Sequence, residues 1–270
     1  MKKHLIVIAG ALLAVCHAAG QAPAPQKIQT LIITGQNGHD WRGTTPLLRQ
    51  ILEDTGRFEV RVTEDFRGGG DETLAPYDLV VLNYFERRRP DMWWGARAES
   101  ALLSWLRRGK GLVMYHFSVA AFDGWEEYEK LSGGNWRPNQ GHHSPPHDFT
   151  VDIKDAGHPI TRGLKSSFRV TNDELYANLR WQPEGSFHVL ATAYDDHSLY
   201  KNPRQPTPGP GLHQPMLWTV RYGQGRVFAT ALGHAPANLN NAGFQVTYAR
   251  GAEWAATGDV TLPVPPDMAK

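Results

Sequence analysis

The residues able to carry chemistry in this 270-residue chain gather where strand-like runs end or polar loops begin. His116 follows the apolar run Gly111-Leu112-Val113-Met114-Tyr115, and His234 follows another that ends near Leu232. His143 lies in a loop that also holds His142 and His147. Asp173-Glu174 is the strongest carboxylate pair, set between Val170 and Leu175-Tyr176. Imidazole nitrogens and carboxylate oxygens ligate zinc and related divalent ions, and the same groups exchange protons near neutral pH. His39, Asp40 and Trp41 sit together after the first strand-like run, and Asn83 follows the third. Asp40 is a second carboxylate at a strand end, and together with Glu174 it leaves hydrolysis by two carboxylates open as an alternative.

Each of these residues has a plainer reading. A polar residue at a strand end also caps helices or satisfies loop backbone, and Asp173-Glu174 also fits a turn acid with a surface salt bridge. Trp41, Trp93, Trp94, Trp125 and Trp136 have faces on which sugar rings stack, yet tryptophans mostly pack into a core or its rim. The His142, His143 and His147 spacing matches no H-E-x-x-H pattern. Nucleophile-elbow enzymes place Ser or Cys in a sharp turn between strand and helix, as in G-x-S-x-G. Here Met114-Tyr115-His116-Phe117-Ser118 puts His in that slot with neither flanking glycine, which excludes elbow acyl-enzyme chemistry there. Ser118 has only its location to recommend it. No P-loop and no G-x-G-x-x-G after a strand occurs, so no nucleotide cofactor is expected.

The elements that must position these groups alternate in type. Ile28, Leu31, Ile32 and Ile33 predict a first strand. Thr45 as cap, Pro46 in the first turn, the apolar face Leu47, Leu48, Ile51 and Leu52, and the stop at Gly56 predict a helix. Strands are expected at 58–62 and 78–83, the latter apolar on both faces as parallel strands are. Ala98, Ala101, Leu102, Trp105 and Leu106 fall on one helical stripe that ends at Gly109. Asp123 and Glu126 suggest a capping box for a helix with Trp125, Tyr128 and Leu131. Residues 133–147 read as a loop, and 202–211 as a Pro/Gly-rich surface loop. Later strands are expected at 149–153, 187–193, 216–222 and 226–232. Gly223-Gln224-Gly225 joins the last two as a hairpin, and a final helix spans 242–256. The pattern implies one α/β domain with an open, mostly parallel sheet and helices on both faces, whose ligands bind at the strands' carboxyl ends.

Composition supports an ordinary folded protein: 41% hydrophobic, 20% charged and a formal charge of +1. That balance argues against nucleic acid as a partner. Met1, Lys2 and Lys3, the apolar residues 5–15 and the small residues Ala18, Ala19 and Gly20 read as a secretory signal peptide over 1–20, too short to span a bilayer. A linker at 21–26 follows. The leader carries Cys16, the only cysteine, so the exported protein is expected to have neither disulfides nor thiol chemistry. Val15 fits poorly before a lipidated cysteine, which makes a lipoprotein the weaker alternative. The expected compartment is the periplasm or the outside of the cell.

Several ordered motifs carry a resemblance to a known family. They are His116-Phe117, Trp125, Tyr128, Leu131, Gly133-Gly134, His143, His158-Pro159-Ile160, Gly163-Leu164 and Asp173-Glu174-Leu175-Tyr176. The series continues with Pro215-Met216-Leu217-Trp218, Gly223, Gly225-Arg226-Val227, Leu232-Gly233-His234 and the run from Arg250 to Gly258. Together they resemble the ThuA-like (trehalose utilisation) family over residues 27–258, leaving 259–270 as a tail. The resemblance implies a flavodoxin-like α/β fold, related to class I glutamine amidotransferases but altered at the cysteine nucleophile position. It also implies carbohydrate catabolism, with oxidised (keto) glycosides as the substrate class.

The leading expectation is therefore an enzyme that cleaves a small-molecule sugar derivative by lyase or hydrolase chemistry with a divalent metal, zinc favoured. His116, Glu174 and Asp40 are its candidate catalytic groups. His116, His143, Glu174 and His234 are the candidate metal ligands, and His39, Trp41, Trp136 and Asp173 the candidate sugar-binding residues. The competing classes are a noncatalytic carbohydrate-binding protein and a protein-interaction module on an amidotransferase-like scaffold. Intact-mass measurement of the exported protein should show the loss of residues 1–18 to 1–20. A retained Met1 or a diacylglycerol mass on Cys16 contradicts that.

Overall fold

A computed structural model describes residues 26–86, 91, 93–200 and 211–270. The segments expected as a signal peptide, as a linker before Gln26 and as a Pro/Gly-rich loop before Gly211 lie outside the described residues. Among the described residues, no helix is long and apolar enough to cross a membrane.

The first half alternates strand and helix: β1 (Ile28–Ile33), α1 (Trp41–Asp54), β2 (Phe58–Thr63), α2 (Asp71–Leu74), β3 (Leu79–Leu82), α3 (Ala96–Arg107) and β4 (Gly111–Tyr115). After α4 (Glu126–Ser132) the chain becomes strand-rich. The short strands β5 (Gly134–Asn135) and β6 (His142–His143) precede β7 (His147–Ile153) and β8 (Ser167–Asp173). Then come β9 (Tyr176–Ala177), β10 (Arg180–Trp181), β11 (Phe187–Tyr194), β12 (His213–Tyr222), β13 (Gly225–Thr230) and α5 (Ala242–Thr257).

Among the described residues, nine strands form one sheet in the order β2-β1-β3-β4-β13-β12-β11-β7-β8. From β2 to β13 every pairing is parallel, and from β13 to β8 every pairing is antiparallel. The sheet is thus evenly mixed, less parallel than the sequence pattern implies. Crossovers between parallel strands are right-handed. The β1–α1–β2 and β3–α3–β4 units step in opposite directions along the sheet, so their helices cover opposite faces. The helix α5 packs on β4 and β13 and also meets α1 and β8.

Sequence explains most of these elements. β3 and β4 are buried along their whole length, as strands covered on both faces must be. The helix α3 buries Ala98, Ala101, Leu102, Leu103, Trp105 and Leu106. The helix α5 presses closer than side chains allow: a Cβ on Gly251 would lie 2.2 Å from the Phe228 ring, and one on Gly243 would lie 2.1 Å from Phe168. Phe168 belongs to β8, at the far edge of the sheet, so the antiparallel half curls round α5.

Three expectations need correction, and one strand was not anticipated. The helix α1 starts at Trp41, not after Thr45, because the Asp40 carboxylate accepts the Gly43 N–H at 2.9 Å and caps it. Asp123 caps nothing; Trp125 occupies that position without a side-chain cap, and the Asp123 carboxylate faces Arg137 at 3.5 Å. Strand β8 has no counterpart in the sequence reading, although Phe168 and Val170 alternate inward. Residues 259–270, expected as a tail, pack back on the domain: Lys165 donates to the Met268 carbonyl and Met268 is buried.

Arg250 fastens that returning segment. Its buried guanidinium donates to the carbonyls of Ile160 (2.8 Å), Pro159 (2.7 Å), Arg162 (2.9 Å) and Leu262. Replacing it leaves several buried carbonyls without a partner. Arg250→Ala should therefore lower unfolding stability by about 3 kcal/mol or more, measured by urea denaturation. A loss below about 1 kcal/mol contradicts this role.

Candidate functional site

The parallel strands deliver three of the site residues from their carboxyl ends. After β1 the chain makes a polar loop in which Asn37 Oδ1 accepts the His39 N–H at 3.1 Å. The Asn37 amide donates to Asn83 Oδ1, at the end of β3, at 3.1 Å. Asn83 in turn donates to the hydroxyls of Thr44 and Thr45, each at 3.0 Å. His39 is thereby tied to the core of the sheet through Asn83.

His116 begins a 3-10 turn straight after β4, with a φ of 45°. A non-glycine residue in the left-handed region costs roughly 1–3 kcal/mol, and such strain gathers at functional sites. The parallel register sets Thr230 of β13 beside Tyr115, which brings the next carbonyl, that of Ala231, to the His116 ring. Nδ1 lies 2.7 Å from that oxygen. A carbonyl can only accept, so Nδ1 carries the proton and Nε2 offers its lone pair. Tyr176 donates its hydroxyl to Nε2 at 2.8 Å.

Glu174 comes from the other half of the sheet. Asp173, the last residue of β8, accepts backbone N–H groups from Gly233 (2.7 Å), His234 (2.9 Å) and Glu174 (2.9 Å). These bonds staple the end of β8 to the loop after β13. Glu174 Oε2 then faces three imidazoles: His234 Nδ1 at 3.1 Å, His116 Nε2 at 3.8 Å and His39 Nε2 at 4.0 Å. One donor atom from each of His39, His116, Glu174 and His234 falls within 4.8 Å of the others. The rings meet edge to face, with His39 centroids 5.0 Å from His116 and 4.6 Å from His234.

His143 sits on the opposite side of Glu174. Its Nδ1 lies 3.2 Å from Oε1 and 2.8 Å from the Ser144 carbonyl. The short pairing of β6 with β9 holds it, with His143 directly opposite Tyr176. Its proton is committed to that carbonyl side, so His143 stands outside the converging set and His39 stands inside it. The sequence reading had these two exchanged.

Burial governs the protonation of this cluster. It lowers the His39 pKa to about 4, aided by the nearby His234, and holds His116 well below the ordinary imidazole range. Both rings are neutral near pH 7. The Glu174 carboxylate raises the pKa of His234 against the pull of partial burial. Burial also raises that of Asp173, opposed by its three N–H donors. The Nδ1 atoms of His39 and His234 are buried without a well-formed hydrogen bond, although His234 Nδ1 lies so near Glu174.

The remaining candidates divide. Trp136 is half-buried beside the cluster, 5.6 Å from His143, 5.1 Å from Tyr176 and 5.8 Å from Phe117 between ring centroids. Trp41 is buried in the first turn of α1 with the Arg42 guanidinium 4.1 Å over it, so it offers no sugar platform. Asp40 is exposed and spent on its helix cap, which removes it as the second carboxylate of a hydrolytic pair. Asp173 binds backbone, not ligand. Trp93, Trp94 and Trp125 pack around Phe122. The sequence reading gave Tyr176 no role; its place two residues after Glu174 was the available signal.

Known proteins agree with this architecture. The ThuA family, described as trehalose utilisation, matches residues 29–255. A ThuA-like protein of Parabacteroides merdae shares 33% identity over 91% of this chain and 95% of its own, with a TM-score of 0.78. A ThuA-like protein of Bacteroides uniformis shares the fold at 19% identity, 91% and 97% coverage and a TM-score of 0.66. The β-galactosidase of Rahnella sp. R3 contains a similar fold at 15% identity, over 88% of this chain and 32% of the enzyme, with a TM-score of 0.54. Among curated proteins there is no significant sequence match. With the match running from β1 into α5, and with a relative of like fold at one-third identity, the chain belongs to the ThuA family.

Proposed function

We propose that the protein is an enzyme of carbohydrate metabolism that cleaves an oxidised sugar derivative, with a divalent cation held by His39, His116, Glu174 and His234. The observation that carries this reading is the convergence of three imidazoles on Glu174 Oε2. Four atoms held tetrahedrally at about 2.0–2.2 Å from one ion lie about 3.3–3.6 Å apart. The four donors, all within 4.8 Å of one another, draw in by up to about 1.5 Å to form such a shell. Two features of the cluster fit such an occupant: neutral rings at His39 and His116, and a buried His234 Nδ1 that faces Glu174 without a well-formed hydrogen bond. Three nitrogens and one oxygen suit zinc and other imidazole-binding ions. A bound ion supplies Lewis acidity toward a sugar carbonyl oxygen.

The chain's own residues supply the rest. His143 directs Nδ1–H at the Ser144 carbonyl and Glu174 Oε1, which leaves Nε2 with a free lone pair on a ring 37% exposed. A base oriented by a carboxylate is the recurring arrangement for proton abstraction. In a keto-glycoside, His143 Nε2 takes the proton from the carbon beside the carbonyl. The C–H electron pair forms a double bond, the glycosidic C–O bond breaks at the next carbon, and the departing oxygen recovers a proton from the His143 imidazolium. Trp136, against His143, offers the sugar a face.

Two measurements separate binding from chemistry. The wild-type protein should take up about one equivalent of Zn²⁺ by elemental analysis, and Glu174→Gln and His234→Ala should bind it at least tenfold more weakly. Equal binding by all three, or none by the wild type, removes the cation site. His143→Ala should keep Zn²⁺ affinity within about tenfold while turnover of a keto-glycoside falls at least about 100-fold. Unchanged turnover removes His143 as the base.

A further inference from the structure

His116 has one lone pair to give, and Tyr176 already holds it. Nδ1 is spent on the Ala231 carbonyl at 2.7 Å, so Nε2 is the nitrogen that faces Glu174 Oε2 at 3.8 Å. The same Nε2 accepts the Tyr176 hydroxyl at 2.8 Å. A nitrogen lone pair cannot accept a hydrogen bond and ligate an ion together.

We propose that Tyr176 competes with the cation for His116 Nε2 and, once displaced, donates its hydroxyl to an oxygen of the bound sugar. The proposal rests on the reading of the cluster as a cation site. The Tyr176 side chain is in no position to swing away. It is buried, its ring lies 4.4 Å from that of His116 and 5.1 Å from that of Trp136, and its backbone pairs with His143 across β6 and β9. A displaced hydroxyl therefore stays beside the ligand set, and a buried hydroxyl requires an acceptor. The acceptor that arrives with the ligand is the oxygen completing the shell. Tyr176 thus weakens the site's hold on its ion and strengthens the ion-loaded site's hold on its sugar.

Tyr176→Phe keeps the ring and removes only the hydroxyl, and matching thermal unfolding curves will show that packing survives. Titration of Zn²⁺ against a chromophoric chelator should give an affinity about 2- to 10-fold tighter in Tyr176→Phe than in wild type, the worth of one ordinary hydrogen bond. The zinc-loaded variant should bind methyl glucoside several-fold more weakly than the zinc-loaded wild type. In wild type labelled with ¹⁵N-histidine, Zn²⁺ should shift the His116 Nε2 resonance. Wild type that binds Zn²⁺ alongside a variant of equal or weaker affinity overturns the competition while leaving the cation site standing. Equal or absent sugar binding in both proteins overturns the hydroxyl's second role. Failure of both proteins to bind Zn²⁺ overturns the cation site and this proposal with it.

Discussion

Three backbone N–H groups converge on the Asp173 carboxylate, and the site exists because they do. Two come from the loop after β13 and one from Glu174 itself. Hydrogen bonds to an ionised acceptor are about twice as strong as neutral ones. They are needed, since burial of the carboxylate works against its charge. The bond to Gly233 also fixes a turn with no room for a side chain, because a Cβ there would press on the Tyr115 and Phe244 rings at 2.8 and 3.0 Å. Tyr115 closes the arrangement by donating its hydroxyl to the Gly233 carbonyl. One carboxylate thereby sets the backbone of both Glu174 and His234.

The strands and helices that carry apolar periodicity were legible in the sequence, and so was the gathering of His116 and His234 at one sheet edge. Those positions follow from local pattern and from the rule for parallel strands. Strand β8 was not legible, because its few inward residues pair with β7 and meet α5 only through the curl of the antiparallel half. The exchange of His39 for His143 was equally hidden. It turns on where one ring proton goes, to the Ser144 carbonyl at His143, and on the chain of amides that ties His39 to Asn83. Asp40 shows the reverse hazard: an acid beside a histidine at a strand end proved to be a helix cap.

Strain and neutrality reinforce each other at His116. Its left-handed backbone is held by β4 on one side and the 3-10 turn on the other, and its ring by a carbonyl and a hydroxyl. Burial keeps the imidazole uncharged, so the lone pair is present before any ligand arrives. The orientation and the protonation state are both settled during folding.

The curl of the sheet round α5 has a consequence for how the protein is assembled. The clustered residues lie at 39, 116, 174 and 234, so their convergence spans most of the sequence and needs both halves of the sheet in place. Long-range closures of this kind carry their entropy cost before any contact compensates it, and they form late. A molecule that bridges the four residues therefore acts as a clasp across the whole architecture. Its binding energy adds to the stability of every element the clasp joins, from β1 to the loop after β13.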